Sequence, residues 1–204
     1  MKGRAMFLTE PAASDASRRL FEDALASDGY VMNLARLWVW RPDVFENFVA
    51  LRSQLTSASS LSPRELAVLV CTTASTLRDS YCSLAWGARL AKAADPEAAA
   101  AVLHGTPPES LSPRERALAA WARQVTRDPN GTAARDVDAL RNAGLSEKEI
   151  FEATLFVGLR AAFSMVNDAL GVEPDWQVAE AAPQAVRDAV TYGRDVAARQ
   201  TDDA

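Results

Sequence analysis

Three stretches of this chain open with nearly the same words: LSPREL at 61–66, LSPRER at 111–116 and LSEKEI at 145–150. In each, a serine is followed three residues later by a glutamate (Ser62/Glu65, Ser112/Glu115, Ser146/Glu149). That spacing lets each side chain satisfy a backbone N–H that the first turn of a helix leaves without a partner. Pro63 and Pro113 follow directly, at the first helical position, where a missing N–H costs nothing. Leu61 is placed to staple against Leu66, and Leu145 against Ile150. A chain that starts helices three times in this way is committed to helix. Only 9 of its 204 residues are glycine. Alternation of β-branched residues is hard to find, and Ala and Leu dominate. The expected fold class is all-α, a multi-helix bundle. The LSPRE words recur at an interval of 50 residues, but the sequences after them differ, so convergent capping is preferred to duplication.

Breakers set the other boundaries. A helix over about 14–27 ends before Asp28-Gly29, and another runs from Pro42 to about Thr56 with Val44, Phe45, Phe48, Leu51 and Leu55 on one face. The 62–77 helix yields near Arg78 to one that starts at Asp79 or Ser80 and reaches Ala93. Pro96 opens a short helix to His104, and Asp128-Pro129-Asn130-Gly131 stops the 112–127 helix. The segment from 147 to about 170 is the most apolar and is expected to run through the centre. Residues 57–60 are too short a linker to separate domains. One domain over 1–204 is expected, with its core at about 15–178 and with 1–14 and 183–204 peripheral.

A net charge of −5 and a pI near 5.0, with no basic cluster, argue against nucleic acid as a partner. No apolar run is long enough for a membrane helix, and MKGRAMFLTEPAASD makes a poor secretory signal. Two cysteines, Cys71 and Cys82, suit a reducing compartment, so a cytoplasmic protein is expected. One histidine with two cysteines leaves little for a metal site, and neither metal nor cofactor is expected.

Candidate chemistry centres on Cys82. With Asp79 as N-cap it becomes the third helical residue, where free N–H groups and the helix dipole favour a thiolate. The neighbouring carboxylate opposes this, and a small buried apolar role is the alternative. Cys71 lies in the apolar run LAVLVCTT and reads as core. His104 closes a helix, where a cation suits the dipole. A second candidate is the strip Arg160, Ser164, Asn167 and Asp168, at spacings of three and four on an apolar helix. It fits a polar pocket, an ion-pair network or a subunit contact.

Leu61–Trp86 also resembles a family. Leu-Ser-Pro-Arg-Glu, an apolar helix, a break, then Tyr81-Cys82 opening the next helix is similar to the core of the alkylhydroperoxidase AhpD-like and carboxymuconolactone decarboxylase superfamily. LSPRERALAAWARQVTRDP and the stretch DALRNAGLSEKEIFEATLFVGLRAAFSMVNDALGVEPD resemble the carboxy-terminal half of its peroxidase-related members. GYVMNLARLWVWRPDVFENFVAL resembles their amino-terminal helices, so the likeness covers roughly 15–178. It implies an all-helical homo-oligomer, a dimer, trimer or hexamer. The peroxidase branch implies a Cys-x-x-Cys pair, a histidine four residues on, and an upstream glutamate. These positions hold Asp79 and Cys82, then Trp86, then Ala67. Only Cys82 matches.

Asp79 cannot resolve a disulfide, so the branch's chemistry reduces to one cysteine. Cys82 would attack a small-molecule peroxide and be restored by an external thiol, with Asp79 and Ser80 capping, Tyr81 as a pocket wall and Trp86 in the histidine's place. The alternatives are a non-catalytic oligomer, or a decarboxylase-like lyase acting on a small carboxylic acid through Arg160 and His104.

Overall fold

The computed structural model describes residues 5–106 and 108–199. Among these there is no strand, and the fold is an all-α bundle. The amino-terminal part comprises α1 (Asp15–Asp28), α2 (Asn33–Trp38) and α3 (Pro42–Ser57). The middle holds α4 (Pro63–Leu77), α5 (Ser80–Ala93) and α6 (Pro96–His104). Then come α7 (Pro113–Arg127), a 3-10 turn at Pro129–Gly131, α8 (Ala134–Asn142) and α9 (Glu147–Ala169). Two short helices close the chain, α10 (Trp176–Ala181) and α11 (Gln184–Ala189).

All three capping boxes form as the sequence predicts, with each serine accepting from the glutamate N–H and each glutamate accepting from the serine N–H. The repeated LSPRE words also have a tertiary role. Arg64 pairs with Glu115 at 2.6 Å, and Arg114 pairs with Glu65 at 2.5 Å, so each helix start supplies an arginine to the other's capping glutamate. Arg114 reaches further, to Glu149 of the third box at 2.5 Å and to the Gly144 carbonyl at 2.8 Å. One guanidinium thus gathers the starts of α4, α7 and α9. Convergent capping is therefore also convergent pairing.

The central helix is α4, not α9. From Ala67 to Ala74 every residue of α4 is buried, and it divides two core clusters. Ala67, Val68 and Cys71 pack with α5, α6 and α11, while Leu69 and Val70 pack with α7, α8 and α9. α9 lies outside it with one face bare: Phe151 is 68% and Met165 61% exposed, and Leu155 and Val166 join them. Overall apolarity misplaced α9 because its apolar residues circle the helix rather than mark depth.

The chain's edges also differ from expectation. Ala182, Val186 and Ala189 are buried against α5 and α6, and Met6 packs on Leu37, Tyr81 and Val172. Segments read as peripheral therefore supply core. The helix that the sequence leads one to expect after Pro183 forms as α11; its charge suggests a peripheral place, but Val186 and Ala189 turn inward. Past α11, residues 190–199 form a non-helical strap along the N-terminus of α5. Ser80 Oγ donates to the Arg194 carbonyl at 2.8 Å and accepts its N–H at 3.0 Å, and Tyr192 donates to Ser83 Oγ. At Gly193 (φ +81°) a Cβ would lie 2.6 Å from the Arg78 carbonyl, so only glycine fits that turn.

Candidate active site

A two-residue link, Arg78-Asp79, joins α4 to α5. Arg78 takes a left-handed conformation (φ 63°) so that the Asp79 N–H can return to the Ala74 carbonyl at 2.9 Å. Asp79 is wholly buried and caps α5, its Oδ1 accepting the Cys82 N–H at 2.9 Å. Cys82 is therefore the third residue of α5, as predicted. The predicted source of activation fails, however, because Asp79 already occupies the amide that would have favoured a thiolate.

Cys82 is 3% exposed. Burial first, and then the Asp79 carboxylate, push its thiol well above the ordinary cysteine range. Arg160 and a hydrogen bond from Ser164 pull the other way. The Arg160 guanidinium donates to the Cys82 sulfur at 3.1 Å, its only side-chain hydrogen bond among the described residues. Arg160 is 2% exposed, its Nε has no partner, and it forms no ion pair there. Of the three roles open to the strip, an ion-pair network is absent among the described residues. The cation rests instead against the rings of Trp86 (5.4 Å) and Phe163 (5.1 Å).

Aromatic rings close the site. Trp38 stacks on Phe163 at 5.5 Å and meets Phe45 and Phe48 at 5.5 and 5.9 Å. Trp38 Nε1 donates to Asn167 Oδ1 at 2.9 Å, which ties this wall to the polar strip of α9. Phe45 and Phe48 come from α3, which contributes no fully buried residue and so sits as a light cover. Of the apolar face read on α3, Val44 and Leu51 turn out to be exposed, while Arg52 lies on the inner side with Phe45 and Phe48. Arg52 and Arg89 are the site residues the sequence reading missed. Both carried a signal, Arg52 at i+7 from Phe45 and Arg89 three residues past Trp86.

The other candidates divide. Ser164 and Asn167 lie with Arg160 on the inner face of α9, the side that meets Cys82 of α5. Trp86 stands between Arg160 and Arg89, whose guanidinium lies 4.5 Å from its ring. Tyr81 packs with Met6, Leu37 and Val172 and donates to Asp175, which in turn accepts the Asn33 N–H at 3.0 Å. Its hydroxyl thus ties α5, through Asp175, to the start of α2. Ser80 holds the strap. His104 is exposed at the end of α6, and Cys71 is fully buried and unpaired.

Asp168 stays half-buried near Asp79 and Arg194. Burial, aided by Asp79, raises its carboxyl from the usual range to about 7. A raised value means that the folded state holds the proton more tightly. Its favourable contribution is thus complete below about pH 4 and is lost as pH rises through 7. Asp168→Asn is expected to stabilise the fold by about 1–2 kcal/mol at pH 8, after allowance for solvent screening, and by nothing below pH 4. Thermal melts at the two pH values check this.

No family model matches the chain, and no curated protein does. Solved structures do. A peroxidase-related protein from Ralstonia eutropha JMP134, described as an alkylhydroperoxidase AhpD core, superposes with a TM-score of 0.77 at 22% identity, covering 87% of this chain and 96% of that one. A peroxidase-related protein from Silicibacter sp. TM1040 gives 0.77 at 21% identity, over 87% and 95%. The debrominase Bmp8, as a cysteine-to-alanine variant in complex with 2,3,4-tribromopyrrole, gives 0.67 at 14% identity, over 93% and 97%. The fold is AhpD-like, as the sequence resemblance implies.

Proposed function

We propose that this protein is a one-cysteine thiol oxidoreductase that reduces hydroperoxides at Cys82. One observation carries the reading. The sulfur of Cys82 is buried under a cover of aromatic rings and accepts a hydrogen bond from a buried arginine that has no carboxylate partner among the described residues. Such a guanidinium stabilises a thiolate once the thiol loses its proton. In the proposed reaction the thiolate attacks the terminal peroxide oxygen, the O–O bond breaks, and an alcohol leaves with the incoming proton. Cys82 becomes a sulfenic acid. Two molecules of an external thiol then restore it, giving water and a disulfide. No local thiol can do this, since Asp79 stands where a resolving cysteine would be and Cys71 is sealed in the core.

Cys82→Ser is expected to abolish thiol-dependent consumption of cumene hydroperoxide, leaving the uncatalysed background. Unchanged turnover in that variant would sink the proposal. A second reading is favoured by the ring wall and by Bmp8: reductive debromination of an aromatic ring at the same thiol, with two external thiols giving the debrominated ring, a disulfide, bromide and a proton. Bromide release from 2,3,4-tribromopyrrole separates it from peroxide reduction. Homo-oligomerisation belongs to the same proposal and is supported by the bare apolar face of α9. Analytical ultracentrifugation tests it, with a monomer at micromolar concentration counting against.

A further inference from the structure

The bare face of α9 has a period. Its exposed positions 151, 155, 158, 162, 165 and 169 are separated by alternate steps of four and three, the spacing of a coiled-coil seam. They hold Phe151, Leu155, Gly158, Ala162, Met165 and Ala169, with Val166 alongside, and no polar side chain interrupts them over about five turns. Gly158 stands near the middle of this seam, inside a 23-residue helix, where glycine is destabilising. Nothing among the described residues calls for it, since a Cβ there meets no atom within 4 Å. Gly87 of α5, by contrast, has its reason inside the fold: a Cβ there would lie 2.6 Å from Val186 Cγ1. A glycine that makes room for nothing in its own chain makes room for something outside it.

We infer that a second copy of this chain lies on the seam, its α9 antiparallel to the first and crossing it at Gly158 and Ala162 about a two-fold axis. The inference rests on the homo-oligomer reading and gives it a face, a direction and a register. The steps between seam positions are the same from either end. An antiparallel copy therefore brings Gly158 to the partner's Ala162, Leu155 to the partner's Met165 and Phe151 to the partner's Ala169. The largest side chain meets a small one, and the two smallest meet where the backbones come closest. A parallel copy would set phenylalanine on phenylalanine at one end and alanine on alanine at the other, crowding the first and hollowing the second. Antiparallel helices also lay the N-terminus of each beside the C-terminus of the other, as their dipoles favour. The area agrees. The seam presents about 500 Å² of apolar surface, and a standard interface of about 800 Å² a side, about 65% apolar, needs about as much. A lipid surface fits the face less well, because interfacial helices are rich in lysine and arginine. Lys148 is the one exposed cation of α9, and the chain's net charge is −5.

Paired cysteine variants of the full chain test the register. Leu155→Cys and Met165→Cys chains, mixed and oxidised, should give a disulfide-linked dimer. Neither should link to its own kind, because like positions then lie about 15 Å apart along the helices, beyond the reach of a disulfide. The wild-type chain controls for Cys71 and Cys82. Gly158→Leu gives a second readout. The side chain has room at its Cβ within one copy, so far-UV circular dichroism should not change. It also adds apolar surface to the face, so association driven by apolar area alone would tighten. At a close crossing, where both copies carry the obstruction, it should instead weaken the dimer on the order of 100-fold in sedimentation equilibrium. Linking of either variant to itself, failure of the mixed pair to link, or a dimer that Gly158→Leu leaves unchanged or tightens overturns the inference while the homo-oligomer reading stands. A monomeric wild type at micromolar concentration overturns both. Cys82-dependent peroxide consumption, assayed on the wild type, is judged apart from either.

Discussion

Arg114→Ala is expected to cost about 3 kcal/mol of unfolding free energy at neutral pH, the largest loss from any one charged residue here. Among the described residues Arg114 is the sole cation on Glu65, and it meets Glu149 as well. The Glu65 and Glu149 side chains are only 10% and 12% exposed, so removing Arg114 leaves two carboxylates poorly solvated and close together. It also frees the Gly144 carbonyl at the C-terminus of α8. The pH dependence identifies the cause. The hydrogen bond from Arg114, and after it that from Ser60, holds the Glu149 carboxyl down to about 2. A lowered value means that stability is present above the ordinary carboxylate range and is lost as pH falls toward 2. The gap between wild type and variant in urea titrations should therefore be widest near pH 7 and close toward pH 3. Arg64→Ala, which breaks a pair with Glu115 alone, should cost less. The reverse order would show that the three helix starts are not held by one guanidinium.

The second large effect concerns access. In the native protein Cys82 should react with iodoacetamide on the order of 100-fold more slowly than in the unfolded chain at pH 8, because the thiol is both shielded and held protonated. The native rate should keep climbing above pH 8.5, where an ordinary cysteine levels off. Phe48→Ala thins the cover without touching Cys82 or Arg160, and should raise the native rate about tenfold with little loss of global stability. Labelling by peptide mapping keeps Cys71 apart. Native labelling as fast as unfolded would mean that the thiol stands open to solvent and that α3 gives it no cover.

The local rules of helix building made most of the fold legible. Ser62, Ser112 and Ser146 start helices where capping chemistry says they should, and Gly29, Gly105 and Gly144 follow helix ends in the left-handed conformation. Depth was less legible, as α9 shows, because apolar content does not say which face meets the core and which is left bare. The site was half legible. Asp79 as N-cap of Cys82, and Arg160, Ser164 and Asn167 on one face, follow from spacing alone. That Asp79 would take the Cys82 amide, that Tyr81 would bond to Asp175, and that Arg52, 30 residues upstream, would lie within the electrostatic reach of the thiol depend on how helices pack. No one-dimensional period records that.

The link between α4 and α5 has a mechanical meaning. Two residues, one of them in a left-handed conformation and the other buried with its N–H returned to Ala74, give the chain no slack at the point where Cys82 begins its helix. The sulfur thus inherits the stiffness of α4, the most enclosed helix of the molecule. The cover has the opposite tether: α3 is followed by the segment 58–62 before α4 begins, and two of its ring neighbours, Trp38 and Phe163, can stay in place when it moves. Play is thus confined to the door, while the thiol and its arginine keep a fixed bearing on whatever comes through it.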